Sequence, residues 1–386
     1  MQPETSLLQR LAGNWPRDHA LLLINPPDTP ADHAGLCIAG VLHDQYDQHL
    51  RWTQAASERL PVWFATHLSA EQMPGCDRVI LFLPKGKARL QAQLHWLAAA
   101  CRPGTQIVLI GAIKSGIKSA GRLLSPHCDP VQKLDAARHC QAIAGTLRPD
   151  SAVMAAAGIS ALLQPWSLAA TDIVAGDALH DLPETMSIAT LPGVFASGRL
   201  DAGSKLLLQT LVTAQASLPR SGALLDYACG SGVLAAVVHQ LLPTLSVTAV
   251  DVDAWALAAS SSTLAGVPHT NIRPSASAGD VPGRYELIIS NPPFHRQFQQ
   301  TTSITARFLQ QLPQLLSRHG QCWLVANRFL PYEHMLADSR LNHAEVASNA
   351  EYKLLRITAY NTPAALSKTT SRASGTKKRI SQSQPR

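Results

Sequence analysis

The stretch ALLDYACGSG, residues 223–232, joins a short apolar run to a glycine-rich turn. Residues 233–242 follow with apolar side chains along one helical face, so we predict a strand, a turn and a helix. Such a turn places backbone N–H groups at a helix N-terminus, where glycine lets a ligand approach closely. The stretch therefore predicts a ligand site at the edge of a sheet.

Strands and helices alternate along the rest of this half of the chain. We predict strands over residues 245–250, 285–289 and 321–326, and helices over residues 255–264 and 304–316. Alternation of this kind is typical of an α/β fold with a mostly parallel, doubly wound sheet.

The first half of the chain repeats this order with weaker motifs. We predict strands over residues 21–24, 78–83 and 106–111 and a helix over residues 88–101, with a proline loop after the second strand. The order matches residues 285–326, so we predict a tandem duplication of one Rossmann-like domain.

The length of 386 residues fits two domains at roughly 150 residues each. A stretch punctuated by proline and glycine at residues 176–193 separates them. We place a first domain at residues 1–174, a linker at 175–193, a second domain at 194–365 and a basic tail at 366–386.

The net charge of +7 predicts a polyanionic partner, but its distribution is uneven. The tail from Leu366 onward has six basic residues and no acid, so removing it leaves 7 − 6 = +1 for the body. The tail is either a solvated, disordered terminus or a nonspecific phosphate tether, and the sequence leaves both open.

Composition excludes several classes of protein. A hydrophobic share of 46% with 15% charged residues is that of a folded chain, and no apolar run approaches the roughly 20 residues that span a bilayer. The seven cysteines are scattered without a C-x-x-C pair, which predicts neither disulfides nor a zinc site. Without a signal peptide, we expect a cytoplasmic monomer that binds no metal.

The ligand of the turn is predicted from its neighbours. Asp251 ends the next strand, where a carboxylate suits two ribose hydroxyls. The third glycine of a dinucleotide site is missing after Gly232, and Asp226 before the turn favours a ligand with a positively charged end. Both details predict S-adenosylmethionine as the cofactor.

A rigid loop follows the strand at residues 285–289, and it reads Asn291-Pro292-Pro293-Phe294. The prolines stiffen it, the Asn291 amide oxygen and the Pro292 carbonyl are two acceptors, and Phe294 can stack on a planar group. Two acceptors and an aromatic face suit an NH2 on a flat ring. We predict methylation of such an amine by orientation and electrostatic preorganisation, with His295 positioning the loop.

The chain contains a second Asn-Pro-Pro at Asn25. It follows the first strand of its half, where a cofactor turn would belong, and Asp28 stands where the aromatic residue should be. We interpret this copy as structural, so the tripeptide alone does not indicate a reacting loop.

Several stretches together resemble the bacterial ribosomal RNA guanine-N2 methyltransferases with tandem domains, and among them the small-subunit 16S rRNA enzymes. In the second half these stretches are residues 191–195, 200–208, 226–232, 288–295 and 325–332. In the first half residues 84–87, 114–116 and 133–138 are similar. The resemblance implies two tandem Rossmann-like class I methyltransferase domains. The domain at residues 194–365 would be catalytic, and the domain at residues 1–174 would be a degenerate, structural copy that has lost the cofactor and helps to hold 16S rRNA.

The resemblance also implies residue roles. The cofactor contacts would be Phe195, Asp201, Asp226, Ala228, Cys229, Gly230, Gly232 and Asp251. Phe195 and Asp201 would cover the methionine end, and residues 291–294 would bind the guanine amine. The sequence departs from the family at Ala228, where glycine is usual, and at Ser275-Ala276-Ser277, which lacks the polar or acidic residue that the family often places beside the adenine.

Other functions remain open from the residues. The same loop chemistry serves methyltransferases of protein glutamine and of DNA adenine, and a large-subunit 23S rRNA enzyme shares the architecture. A non-catalytic RNA-binding assembly protein built from two inactive domains is an alternative of a different class.

Overall fold

The structure is a computed structural model that describes residues 1–150, 159–196, 198–292, 298–329, 332–337, 339 and 341–359. Two seven-stranded sheets, one in each half of the chain, are flanked by helices. The predicted fold class, two tandem Rossmann-like α/β domains, is confirmed. Among the described residues, no helix is long and apolar enough to cross a membrane.

The first half contains seven strands and four α-helices among its described residues. The strands are β1 Leu21–Ile24, β2 Ile38–His43, β3 Val62–Phe64, β4 Arg78–Phe82, β5 Gln106–Ala112, β6 Cys128–Ala137 and β7 Cys140–Leu147. The helices are α1 Pro3–Ala12, α2 Tyr46–Ala55, α3 Lys87–Ala100 and α4 Ile117–Leu124. The strand order is β3-β2-β1-β4-β5-β7-β6, and β7 runs antiparallel to both neighbours.

A two-stranded antiparallel sheet lies between the halves in sequence. It consists of β8 Gln164–Ala169 and β9 Thr185–Thr190, with the short helix α5 Ala170–Ile173 after β8. Leu168 and Ile173 are buried in the same core as Leu207 and Leu211 of the second half. The segment around residue 174 is therefore structured and packs on the second domain.

The second half repeats the plan of the first. The strands are β10 Gly222–Tyr227, β11 Leu245–Asp251, β12 Thr270–Pro274, β13 Tyr285–Ser290, β14 Leu316–Asn327, β15 Leu341–Ser348 and β16 Tyr352–Ala359. The helices are α6 Ala202–Thr213, α7 Val233–Leu241, α8 Ala254–Thr263, α9 Phe298–Leu315 and α10 Tyr332–Ala337. The order β12-β11-β10-β13-β14-β16-β15 is that of the first sheet, element for element.

The central strands are continuous apolar runs because helices cover both faces of each sheet. All four residues of β1 are buried, and so are the last four residues of β10 and of β13. The predicted strands and helices are confirmed, although α9 begins at Phe298 instead of residue 304 and β14 begins at Leu316 instead of residue 321.

Strand register shows which residues of the two halves are equivalent. Ile24 pairs with Leu42 across β1 and β2, as Tyr227 pairs with Val250 across β10 and β11. On the other side Ile24 pairs with Leu81, as Tyr227 pairs with Ser290. Three equivalences follow at the ends of these strands, namely Asn25 with Ala228, His43 with Asp251, and Phe82 with Asn291.

The two halves meet through a reciprocal backbone contact. Gln45 and Asp253 form an isolated antiparallel bridge. The Tyr46 N–H donates to the carbonyl oxygen of Val252 (2.8 Å), and the Ala254 N–H donates to that of Asp44 (2.9 Å). By the strand register, each of these bonds is the equivalent of the other, so the halves are related locally by a pseudo-twofold axis.

Candidate active site

The site is built at the C-terminal ends of β11, β10 and β13, which are adjacent in the sheet. The chain crosses from one side of the sheet to the other between β10 and β13, and open α/β sheets bind their ligands at this switch point. The predicted cofactor turn and the reacting loop both begin here.

The cofactor turn alternates between left-handed and other conformations. Ala228 has φ 61°, Gly230 φ 56° and Gly232 φ 78°. A Cβ built on Gly230 would have nothing within 4 Å, so the backbone is open there to a ligand, whereas one on Gly232 would stand 3.1 Å from Ser260 Cβ. Gly230 thus leaves room for the cofactor, and Gly232 lets α7 pack against α8. Ala228 accepts a conformation that is strained for any residue with a Cβ.

Asp226 lies beneath the turn and is fully buried. Its Oδ2 accepts the Ala235 N–H of α7 (3.1 Å). Its Oδ1 is buried and has no hydrogen-bond partner among the described residues. Burial raises the pKa of this carboxyl to about 7. An orphaned carboxylate oxygen at this depth is expensive, so the residue fits a cofactor with a cationic group.

Asp251 joins the end of β11 to the turn. Its Oδ2 accepts the Gly230 N–H (2.9 Å) and its Oδ1 accepts the Asp253 N–H (3.0 Å). Burial and the neighbouring Asp253 carboxylate raise the pKa of Asp251 to about 6. A carboxylate held in this way lies beside Gly230, where the backbone is open to a ligand, and its remaining lone pairs can accept ribose hydroxyls.

Cys229 contributes its backbone to the turn. Its side chain is buried in the core of the second half, and burial raises the pKa of the thiol well above its usual value. The thiol is therefore protonated and packed, and the ligand side of the turn is lined by main chain at this position.

Asn291 follows β13 and its amide is fixed by two partners. The Asn291 Nδ2 donates to Asp201 Oδ1 (3.0 Å) and to Ser204 Oγ (2.9 Å). Because a carboxylate can only accept hydrogen bonds, the amide nitrogen must face it, and the amide oxygen is directed away. The sequence predicted the amide oxygen as an acceptor, and among the residues that the structure describes no hydrogen bond to it is formed.

Asp201 is also the N-cap residue of α6. Its Oδ1 also accepts the N–H groups of Gly203 (3.0 Å) and Ser204 (3.2 Å). A Cβ on Gly203 would stand 2.9 Å from Val325 Cγ1 and 3.3 Å from Asn291 Nδ2, so glycine allows this close approach. The sequence motif at residues 200–208 therefore holds the reacting loop in addition to any contact with the cofactor.

The remaining predicted residues are placed as follows. Pro292 is buried behind Asn291, and Phe195 lies in a turn with 48% of its surface exposed. Pro293, Phe294 and His295 lie outside the described residues. In the loop after β12, Ser275 Oγ donates to the Ser277 carbonyl (2.7 Å), so its hydroxyl is satisfied within the loop that was expected to meet the adenine.

Two residues of the site were missed from the sequence. Ser204 holds the Asn291 amide, and Ser290 Oγ donates to the Tyr227 carbonyl (2.7 Å), which ties the end of β13 to the end of β10. Serine is too common for either to stand out, and only their position within quoted motifs could have indicated them.

The equivalent sites in the first half are closed. Asn25 has φ 55° and its Oδ1 accepts the Asp44 N–H (2.9 Å), so its side chain stabilises the turn itself. His43 and Phe82 are buried. Burial lowers the pKa of His43 to about 3, so the imidazole is neutral. The copy at Asn25 is thus placed where the sequence predicted, at the end of β1.

Two family models match the chain, Methyltransferase small domain over residues 185–356 and Methyltransferase small domain N-terminal over residues 6–157. The ribosomal RNA small subunit methyltransferase C of Shewanella baltica (strain OS195) is 33% identical over 343 residues, which are 87% of this chain and 93% of that protein. The chain belongs to this family. The family member of Alcanivorax borkumensis is 36% identical over 278 residues, or 71% of this chain and 77% of that protein.

The fold of this methyltransferase C family member is also found in a solved structure. The T. thermophilus 16S rRNA N2 G1207 methyltransferase, in complex with AdoMet and guanosine, superposes with a TM-score of 0.73 at 22% identity. The match covers 93% of this chain and 92% of that chain. The tandem arrangement of two methyltransferase domains is therefore shared along nearly the whole length.

Proposed function

We propose that the protein transfers a methyl group from S-adenosylmethionine to the exocyclic N2 amine of a guanine in 16S rRNA of the small ribosomal subunit. The observation that carries this proposal is the fixed amide of Asn291, whose nitrogen is held by Asp201 and Ser204. Membership of the small subunit methyltransferase C family supports the choice of RNA and subunit.

The chemistry requires orientation more than a base. A guanine N2 amine is a poor nucleophile because its lone pair is delocalised into the ring. Acceptors aimed at its two hydrogens, the Asn291 amide oxygen and the Pro292 carbonyl, favour the pyramidal geometry and stabilise positive charge as it develops. Phe294 stacks on the ring, and the proton leaves to water after transfer.

The cofactor residues are assigned by their chemistry. When bound, S-adenosylmethionine supplies an electrophilic methyl on a sulfonium sulfur. We assign its amino-acid end to Asp226 and to the open backbone of the turn at Gly230, and its ribose hydroxyls to Asp251. Phe195 and Asp201 cover the methionine side. The in-line approach of amine and methyl is then set by the separation of the turn and the loop.

The first half serves the fold and the RNA in this proposal. Lys87, Lys114 and Lys118 are exposed on α3, after β5 and on α4. They suit the phosphates of an RNA whose target base must leave its stack, at a cost of a few kcal/mol. The division into a domain at residues 1–174, a linker at 175–193, a catalytic domain at 194–365 and a tail at 366–386 belongs to the same proposal.

The setting is proposed along with the activity. We propose a monomer in the cytoplasm that uses no metal. Among the described residues, no group of three or more histidines, cysteines or acids is arranged to hold an ion.

The proposal is tested with labelled S-adenosylmethionine and four substrates, namely small subunits, large subunits, naked rRNA and DNA. We expect label in N2-methylguanine from 16S rRNA, identified by nucleoside mass spectrometry after digestion. Label on large-subunit RNA, on adenine or on protein would contradict the assignment and would select the 23S, DNA or glutamine alternative. Absence of cofactor binding in calorimetry would favour a non-catalytic assembly protein.

A further inference from the structure

Arg89 of α3 belongs to the first half but its side chain is buried against the second. Its guanidinium lies 2.7 Å from Asp253 Oδ2 and 3.6 Å from Asp44 Oδ2, and 8% of the side chain is exposed. It also lies over the Trp255 ring, 5.2 Å from its centroid. One cation therefore joins a carboxylate from each half of the molecule.

The same guanidinium reaches the turn that precedes Phe195. Arg89 Nε donates to the Pro192 carbonyl at 3.5 Å. Gly193 has φ 80°, and a Cβ built on it would stand 2.9 Å from Arg89 Nε. Glycine at this position lets the turn close over the arginine. Arg89 therefore contacts the turn before Phe195 as well as Asp253.

Asp253 connects Arg89 to the carboxylate assigned to the ribose. The Asp253 Oδ1 accepts the Trp255 N–H (3.0 Å) and so caps α8, while its backbone N–H donates to Asp251 Oδ1 (3.0 Å). The orientation of Asp253 thereby sets one of the two donors that hold Asp251. Arg89 fixes that orientation through the remaining oxygen, Oδ2.

Arg89 also acts on Asp251 through its charge. Asp44 and Asp253 would both be left without a cation if Arg89 were removed, because no other salt bridge to either is formed among the described residues. Loss of one partner from a buried ion pair is strongly destabilising since the other charge stays buried. The Asp253 carboxylate also raises the pKa of Asp251, and Arg89 is the cation that pairs with Asp253.

We propose that Arg89 is a positioning residue for the S-adenosylmethionine site, acting from the first half through Asp253 on Asp251. The degenerate half then contributes to cofactor affinity although it binds no cofactor itself. This inference rests on the proposed function, because it concerns the cofactor of that reaction.

The test uses the full chain with Arg89→Met and Arg89→Lys. We measure the Kd of S-adenosylmethionine by calorimetry, together with KM for cofactor, KM for RNA and kcat. Arg89→Met should raise Kd and KM for the cofactor about 10-fold, the size of a typical coupling through a packed network, and leave kcat and KM for RNA within about 3-fold. Arg89→Lys keeps the charge and should recover most of the loss.

A matched control removes an ion pair that lies within the first half. Arg10 of α1 pairs with Asp135 of β6 at 2.5 Å, with half of the arginine side chain exposed. Arg10→Met makes the same chemical change as Arg89→Met, and it should leave all four constants unchanged.

The double variant Arg89→Met with Asp253→Asn separates charge from folding. Asparagine caps a helix as well as aspartate does, so the variant keeps the α8 cap and removes the carboxylate next to Asp251, one of the two that Arg89→Met leaves without a cation. It should be more stable than Arg89→Met, and its cofactor Kd should return to within about 3-fold of the wild type.

Three results would overturn the inference. They are an unchanged cofactor Kd in folded Arg89→Met, an equal loss in Arg10→Met, and no recovery in the double variant. A wild-type chain that binds no S-adenosylmethionine would instead remove the proposed function, so the two failures are distinguishable.

Discussion

The two halves of the molecule share one strand order but present different groups at the same edge of the sheet. Where the second half has Ala228, Asp251 and Asn291, the first half has Asn25, His43 and Phe82. The carboxylate is replaced by a buried neutral imidazole and the amide by a buried ring. The sheet survives these exchanges, so the fold and the chemistry are carried by different residues.

The turns after β1 and β10 also differ between the two halves, although they follow equivalent strands. In the turn after β10 the Gly230 N–H donates to Asp251 and the backbone at Gly230 is open to a ligand, whereas Pro26 and Pro27 follow Asn25 and have no N–H. A helix, α7, begins at Val233, while the first half has a short 3-10 helix, Pro30–His33, after its turn. The first half therefore lacks the open backbone and the α-helix N-terminus that the second half presents at this edge of the sheet.

The largest effect is expected for Asn291, compared with Asn25 of the second Asn-Pro-Pro copy. Asn291→Ala removes the fixed acceptor, so kcat should fall about 10²- to 10³-fold, as when one preorganised hydrogen-bonding group is lost. The Kd for S-adenosylmethionine should stay within about 2-fold. The matched change Asn25→Ala should leave kcat unchanged. Retention of a tenth or more of kcat in Asn291→Ala would break the comparison.

A smaller loss is expected at the acidic position. Asp251→Asn removes the charge that accepts the ribose hydroxyls, and hydrogen bonds to charged groups contribute about 1.5–3 kcal/mol, so the cofactor Kd should rise roughly 10- to 100-fold. His43→Asn, at the equivalent position, should leave that Kd unchanged. Calorimetry measures both, and equal affinities of the two variants would contradict the assignment of the ribose site to one half.

The pH dependence of stability compares Asp226 with Leu23, its equivalent on β1 by strand register. Burial raises the Asp226 pKa from 3.8 to about 7, so the folded chain binds more protons than the unfolded chain in this range. Its contribution to stability is present below about pH 4 and lost as pH rises to about 7. Asp226→Asn avoids this loss.

The free energy of unfolding of Asp226→Asn relative to wild type should therefore increase by about 1 kcal/mol or more from pH 5 to pH 8. Urea titrations without cofactor measure it. Asp226→Leu, which copies the first half, should show the same trend with pH whatever its absolute stability. A difference that does not change with pH would show that the buried carboxyl does not titrate in this range.

The smallest effect concerns the left-handed residue of each turn. Ala228→Gly relieves a φ of 61° and should stabilise the protein by about 1 kcal/mol, with unchanged kcat. Asn25→Gly should instead destabilise it by about 1 kcal/mol, because Asn25 tolerates its φ of 55° and its side chain accepts the Asp44 N–H. Relative to the wild type, the denaturation midpoint should rise in Ala228→Gly and fall in Asn25→Gly.

The sequence predicts this fold well where apolar runs are long and both faces of a strand are buried. Strands such as β10 and β13 could be located to within about a residue for that reason. The hairpins β6–β7 and β15–β16 were missed, because β6 and β15 are largely exposed edge strands with a weak hydrophobic pattern. Their antiparallel direction depends on tertiary pairing.

The candidate site could likewise be predicted only in part from the sequence. Asp226, Gly230 and Asp251 are recognisable because they stand at fixed places after strands. The anchoring of Asn291 by Asp201 and Ser204 could not be predicted, since the partners are 90 and 87 residues apart in the chain. The pair of Arg89 and Asp253 spans 164 residues and leaves no local signal at all.

The reciprocal bonds from Tyr46 to Val252 and from Ala254 to Asp44 have a consequence for the ancestry of the chain. Each bond is the image of the other, which is the contact that two identical subunits make across a twofold axis. The geometry is that of a homodimer whose subunits were joined into one polypeptide. The first copy differs from the second at the ligand edge of its sheet, yet it keeps its side of the contact that joins the two copies.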